Sequence, residues 1–424
     1  MFDILNGLVL KEDYNLLFWF KSKHYIRMPQ QDKPKPELEY TEQGWRYPVD
    51  RTRHHRENGW DYRGRAIYHF TLVVEERYPL FGVLGGDSSE TAQINLNALG
   101  RRAHQMLRDQ PKFYGEKGFA LKVLAFKVMP DHLHLVIQVL DPLPKSIGTV
   151  VRGFKSACTK LYKQEYYPSG DNAAELHEGP VEAQGADSPA DVFVQFARIF
   201  AGRGSIWQQD AAYYHERILH APGQLRRMID YVKDNPRRLW IKRHNPDLFK
   251  MHRMTEVCGR SFTTMGNHYL LYLPDRQMIE VSRSATDEQV EQHLKKSLAA
   301  AHNGAITYTA AISKGEQRIA RAIREHSFPL VVLLTERFPE EGSPKEKYYK
   351  PGGAYFEACS MGRLLLLEPS EQSYTNPVVC LATEETLRRK AEAKHLKYTP
   401  IPETSQRYRF VALNEMERLL VDRE

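Results

Sequence analysis

From Asn245 onward, apolar runs of strand length alternate with amphipathic stretches of helix length, and few architectures accept such a pattern. Strand-like "NHYLLYLPDRQMIEVS" (267–282) precedes helical "DEQVEQHLKKSLAAAH" (287–302). Strand-like "AITYTAAIS" (305–313), helical "GEQRIARAIREH" (315–326), and strand-like "PLVVLLTE" (329–336) and "RLLLLEP" (363–369) follow. Strands separated by helices of this size cannot be joined as hairpins, so they imply a parallel sheet with crossover helices and a three-layer α/β domain over 266–424. A linker over 246–265 is expected to separate it from what precedes.

The first half reads differently. Residues 29–66 are polar, proline-containing and dense in Arg, Lys and aromatics, with no helical or strand period, and are read as an extended arm. A strand "AIYHFTLVVEE" (66–76), an amphipathic helix over 94–109, the strand or strands of "FALKVLAFKVMPDHLHLVIQVL" (119–140) and a helix from about Lys145 to Tyr166 follow. Segment 168–190, rich in Ala, Gly, Pro and acids, has the composition of an exposed insertion. A short strand region from Ile206 leads to a helix from about Gly223, expected to stop near Asn235 because Pro236 disfavours helical geometry in the residue before it.

Composition narrows the function classes. Sixty Lys and Arg against 53 Asp and Glu give a net charge of +7, a mild basic excess compatible with a polyanionic partner. Four scattered cysteines form no Cys-x-x-Cys pair, so neither a disulfide framework nor a zinc cluster is indicated, and a reducing cytoplasm fits. The apolar N-terminal stretch is broken by Lys11, Glu12 and Asp13, and no segment reaches membrane length.

The chemistry concentrates in "VMPDHLHLVIQV". His132 and His134 alternate with apolar residues, so on a strand both rings project from one face, about 6–7 Å apart along the chain. That spacing lets two imidazoles hold one metal ion. With 17 histidines in the chain, about one such pair arises by chance, so the neighbouring motifs decide. "VMPDHLHLVIQV" resembles the His-hydrophobic-His motif of the HUH single-tyrosine transposases, closely that of the bacterial REP-associated tyrosine transposases. "GWDYRGRAIYHFTLVVEERYPLFG" (59–82), "VVRGFKSACTKLYKQ" (150–164), "IWQQDAAYYHERILH" and "LRRMIDYVKDNP" resemble further family segments in the expected order. The resemblance covers about 59–245, leaving 1–58 as an N-terminal extension and arm.

The resemblance implies an α+β, ferredoxin-like nuclease domain, an antiparallel sheet with helices on one side. It implies Tyr231 as nucleophile, and His132, His134 and Asn235 as ligands of Mg²⁺ or Mn²⁺ held against a DNA phosphate. Tyr231 and Asn235 are four residues apart, one above the other on a helix face, so the spacing itself allows both to meet one phosphate. Tyr213 and Tyr214 sit at positions the family uses as structural aromatics, and His215 is read as a surface or DNA-contacting residue. The implied reaction is cleavage and rejoining of single-stranded or hairpin DNA by a cytoplasmic, nucleoid-associated bacterial enzyme, a monomer or homodimer with no membrane contact. A catalytically idle hairpin-binding regulator and a metal-dependent nuclease that uses water are the competing readings.

Single-strand binding combines cationic contacts to phosphates with stacking on bases. Candidates are Trp60, Tyr62, Arg63 and Arg65 in the arm, Arg152 and Lys155 after the histidine motif, and Lys233, Arg237 and Arg238 around the tyrosine helix. In the C-terminal half, "EVSRSA", "NGAITYTAAISKGEQRIARAI" and "PLVVLLTE" resemble the Rossmann-like domain of DNA-processing protein A and the SLOG nucleotide-sensing group. That resemblance makes Ser282, Arg283, Lys314 and Gly315 candidates for an anion site at a helix N-terminus.

Overall fold

The computed structural model describes residues 39–41, 44–46, 60–167, 189–208, 215–343, 346 and 349–423. Most of the arm, most of the 168–190 insertion, and Tyr213 and Tyr214 lie outside the described residues. The chain divides into two units, Met1–Trp240 and Ile241–Glu424.

In the first unit, strands β1 (Ile67–Val73), β4 (Leu121–Val128), β5 (His132–Val139) and β6 (His215–Ile218) form an antiparallel sheet ordered β4-β5-β1-β6. A small ribbon of β2 (Gly82–Gly85) and β3 (Gln93–Leu96) stands apart from it. Helix α1 (Ala98–Gly115) joins β1 and its ribbon to β4. Helices α2 (Gly148–Glu165) and α3 (Pro189–Arg203) join β5 to β6. Alternation along the strands sorts the side chains by face. Tyr68, Phe70 and Leu72 of β1 and Leu133, Leu135 and Ile137 of β5 pack with Leu99, Ala103 and Leu107 of α1 and Val150, Phe154 and Cys158 of α2. On the opposite face Ile67, Val136 and Leu219 pack with Val232 of α4 (Gln224–His244). Helices α1 and α2 thus cover one face of the sheet and α4, which carries Tyr231, the other.

Three local expectations change. Helix α4 runs through Pro236 to His244 instead of stopping at Asn235. Proline removes one backbone donor, but Arg237 and Arg238 both bond Asp234 at 2.6 and 2.9 Å, tying the turn before the proline to the turn after it. Helix α3 was not foreseen, although Phe193, Phe196 and Phe200 are buried at helical spacing. Within the arm, Glu39–Thr41 pairs antiparallel with Gly44–Arg46, so that stretch contains strand.

The second unit is built on a six-stranded sheet. β9 (Arg276–Met278), β10 (Ile306–Thr309), β11 (Leu330–Leu333) and β12 (Leu364–Pro369) are parallel neighbours in chain order. Helices α5 (Asp287–His302), α6 (Lys314–Glu325) and α7 (Gly353–Ser360) form their crossovers. The hairpin of β7 (His252–Val257) and β8 (Arg260–Gly266) extends the sheet antiparallel from β12, so the segment expected to be a linker is sheet. Apolar residues of α8 (Pro377–Glu392) and α9 (Gln406–Val421), among them Leu387, Ala412 and Met416, pack with Tyr308, Val331 and Leu365 of the strands in one core. In the 267–282 stretch only Arg276–Met278 is strand, preceded by a short turn of helix at His268–Leu271.

Candidate active site

The β1–β5 register places Thr71 opposite His134 and Val73 opposite His132. Both histidines face α4, their rings 4.9 Å apart and nearly perpendicular. Tyr231 lies edge-on to His134 with ring centroids 5.3 Å apart. One turn further along α4, Asn235 is buried; its Nδ2 donates to the Tyr231 carbonyl at 2.8 Å, and its Oδ1 has no hydrogen-bond partner among the described residues. The structure thus gathers His132, His134, Tyr231 and Asn235 on one face of the sheet.

Neighbours orient each ring. His132 Nδ1 is 2.6 Å from an Asp131 carboxylate oxygen, and Asp131 in turn meets Arg77 at 3.3 Å. Burial alone would raise the Asp131 pKa, but the charges and hydrogen bonds of His132 and Arg77 hold it down at about 2. His134 Nδ1 lies 3.1 Å from both His69 Nε2 and Thr71 Oγ1. His69, Arg77 and Asp131 were missed as site residues. The first two lie some sixty residues before the histidine motif, and only the strand register brings them to it.

Burial pushes the Tyr231 phenol above its ordinary range, while Arg238, the Asn235 side chain and Arg77 pull it partway back. The phenol is therefore protonated at neutral pH and needs help to act as a nucleophile. Lys127 stands opposite His134 in the β4–β5 register, and burial lowers its pKa. On β6, the other neighbour of β1, His215 is in register with Thr71.

The residue set can be tested against a divalent ion. Imidazoles engaged through Nδ1 present Nε2 as the ligating nitrogen, and a buried amide oxygen without a partner is an oxygen donor in waiting. The set fits a cation that takes two imidazoles and an amide. Among the described residues no group of three or more His, Cys, Asp or Glu is placed to hold a metal, so the amide is needed to complete three protein ligands.

The DNA-contact candidates separate by position. Arg63, Arg65, Arg152 and Lys233 are exposed. Arg65 pairs with Asp141, and Arg152 reaches Thr149 Oγ1. Trp60 turns inward, its Nε1 donating to Tyr68 Oη at 3.0 Å, and Tyr62 stacks on Tyr68, so both serve as packing for the strand beneath. Lys155 is half-buried on α2, and its carbonyl accepts from Trp207 Nε1. Arg237 is paired with Asp234. Arg238 is 7% exposed, paired with Asp234, with its guanidinium 5.5 Å from the Tyr231 ring centre, so it seats the tyrosine.

At the candidate anion site of the second unit a carboxylate of the chain itself takes three backbone amides. Glu316 accepts from the backbone of Val281, Ile312 and Ser313, and Ser313 Oγ accepts from Glu316 N, a capping box. A Cβ on Gly315 would lie 2.8 Å from Val281 Cγ1, so packing accounts for the glycine. Ser282 Oγ bonds Ser284 Oγ, Arg283 lies over the Phe410 ring, and Lys314 is exposed. The crossover topology agrees with the expected parallel sheet, and the phosphate-binding role drawn from the resemblance finds no support in these contacts.

No family model and no curated protein matches the sequence. Among solved structures, the chain is similar to a REP-associated tyrosine transposase bound to a REP hairpin, at 16% identity over 43% of this chain and 73% of that one, with a TM-score of 0.23. It is also similar to a protein of Deinococcus radiodurans R1 provisionally described as a transposase. That match has 14% identity over 42% of this chain and 95% of that one, with a TM-score of 0.22. TM-scores this low carry no argument about function. No helix among the described residues is long and apolar enough to cross a membrane.

Proposed function

We propose that the first unit is a metal-dependent single-strand DNA endonuclease and strand transferase that acts through a 5′-phosphotyrosine at Tyr231. The observation that carries this reading is the packing of Tyr231 against His134, with the buried Asn235 amide oxygen one turn away. The strand order β4-β5-β1-β6 with helical crossovers supports a ferredoxin-like assignment, and the parallel sheet of the second unit supports a Rossmann-like accessory domain.

Mg²⁺ or Mn²⁺ on His132, His134 and Asn235 would act as a Lewis acid on the scissile phosphate. Tyr231 Oη attacks phosphorus, the bond from phosphorus to the 3′-oxygen breaks, and the proton lost by the phenol is balanced by protonation of the departing 3′-oxygen, which leaves as a 3′-hydroxyl. The phosphotyrosine bond conserves the energy of the one broken, so a 3′-hydroxyl can reverse the step without ATP. Arg238 holds the phenol in place from behind, and exposed Arg63, Arg65, Arg152 and Lys233 are the residues for backbone phosphates.

The test incubates the full chain with labelled single-stranded hairpin DNA from the flanks of its own locus and Mn²⁺, and resolves products on a denaturing gel. A protein–DNA band that disappears in Tyr231→Phe is expected. Cleavage without a band would establish a water-using nuclease, and tight hairpin binding without cleavage a regulator.

A further inference from the structure

We propose that Arg77 and Asp131 form a positioning pair that fixes the His132 ring with its proton on Nδ1, so that Nε2 carries the lone pair directed to the metal. This rests on the reading of His132 as a ligand. Two separate features converge on it.

The first is a hydrogen-bonded chain with one allowed polarity. Arg77 Nη1 lies 3.3 Å from one Asp131 oxygen, and the other oxygen lies 2.6 Å from His132 Nδ1, with all three side chains less than a quarter exposed. A carboxylate paired with a guanidinium can only accept from the imidazole, so Nδ1 must donate. Without that acceptor the neutral ring is free to carry its proton on Nε2, the nitrogen a cation requires.

The second feature is the backbone that delivers Arg77. Glu76 and Arg77 both have left-handed φ, +51° and +52°, although neither is glycine. Consecutive non-glycine residues in that region are disfavoured and persist only where the surroundings hold them. Here the turn is anchored on every side. Arg77 N bonds the Val74 carbonyl, Val74 N bonds the Asp131 carbonyl, and Glu75 N bonds the Ile206 carbonyl, each at 2.9 Å. The strained turn is thereby tied to the backbone of the very residue its arginine meets. His134 is oriented by different means, His69 and Thr71, so the two ligands have independent supports.

The test uses the full chain labelled with ¹⁵N-histidine and free of divalent ions. Long-range proton–nitrogen correlation reads the tautomer of His132, assigned by the signal lost in His132→Gln. The wild type is expected to show the Nδ1–H form, and Asp131→Ala to move the proton to Nε2 while circular dichroism is unchanged. Mn²⁺ affinity by calorimetry should fall about 10- to 100-fold in Asp131→Ala and in the same direction in Arg77→Ala. Should the alanine variant not fold, Asp131→Asn keeps the shape, and its amide can donate to Nδ1. A folded Asp131 variant that retains the Nδ1–H form and wild-type Mn²⁺ affinity overturns the proposal. A wild type that passes the tautomer test yet forms no DNA adduct would sink the nuclease reading and leave the pair standing. An adduct-forming enzyme whose tautomer ignores Asp131 would do the reverse.

Discussion

Asn235 offers a sharp test, because a ligand held in reserve should weaken the metal-free protein. Its Oδ1 is buried in a residue 1% exposed and has no hydrogen-bond partner among the described residues, while Nδ2 donates to the Tyr231 carbonyl. An unsatisfied buried carbonyl costs about 1–3 kcal/mol, and the Nδ2 bond returns about 1 kcal/mol. Leucine has nearly the same branched shape, removes the orphan oxygen, forfeits the Nδ2 bond and gains about 1.5–3 kcal/mol of apolar burial. After allowing for imperfect packing, Asn235→Leu should be about 1–3 kcal/mol more stable than the wild type without divalent ions. Thermal melts in EDTA read this as a rise of about 2–4 °C for each kcal/mol in a unit of this size. With saturating Mn²⁺ the order should reverse, since the wild type, with all three ligands, gains more binding energy than the two-imidazole variant. A variant less stable than the wild type in EDTA would refute the reasoning, showing that Oδ1 is satisfied in solution, for instance by a buried water.

Three other outcomes are expected. Arg238→Met removes a cation over the Tyr231 ring, worth about 0.5–2 kcal/mol. Because Arg238 also pulls the phenol pKa down, the pH dependence of adduct formation should move to higher pH; an unmoved profile with intact folding would count against its seating role. Gly315→Ala sets a methyl against Val281 and Val290 and should destabilise the second unit by about 1–3 kcal/mol, seen by urea unfolding, with no change in nucleotide binding measured by calorimetry. Half-buried Tyr231 has a folded pKa above its unfolded value near 10, so its contribution to stability is full below pH 10 and is lost as pH rises through the folded value. Tyr78, pushed up to about 12 by burial, acts in the same direction. The first unit should therefore lose stability above pH 10, and Tyr231→Phe should lose less of it, as followed by circular dichroism.

Which residues of the candidate site face one another was legible because it depends on short-range periods, while their roles came from the resemblance. His132 and His134 share a face by the two-residue repeat of a strand, and Tyr231 and Asn235 align by the four-residue repeat of a helix. The crossover helices 287–302 and 314–325 were likewise set by amphipathic spacing. The hairpin at 252–266 escaped notice because left-handed Met254, Cys258 and Gly259 and a register shift near Phe262 break the alternation that marks a strand. Helix α3 did carry a readable signal in Phe193, Phe196 and Phe200. Arg77 and His69 join the site only because β1 pairs with β5, which a single sequence does not display, whereas Asp131 stands next to His132 in the chain and was overlooked there. Trp60 and Arg238 also have partners inside the fold that the sequence does not display, Tyr68 and Tyr231.

The Glu316 carboxylate that bonds Val281, Ile312 and Ser313 turns a strand-end loop into a lock that carries its own key. Any free phosphate seeking those amides competes with an anion tethered one turn away, whose effective concentration is on the order of millimolar or higher. The loop geometry at this end of the second unit's sheet is thus held by the chain's own carboxylate.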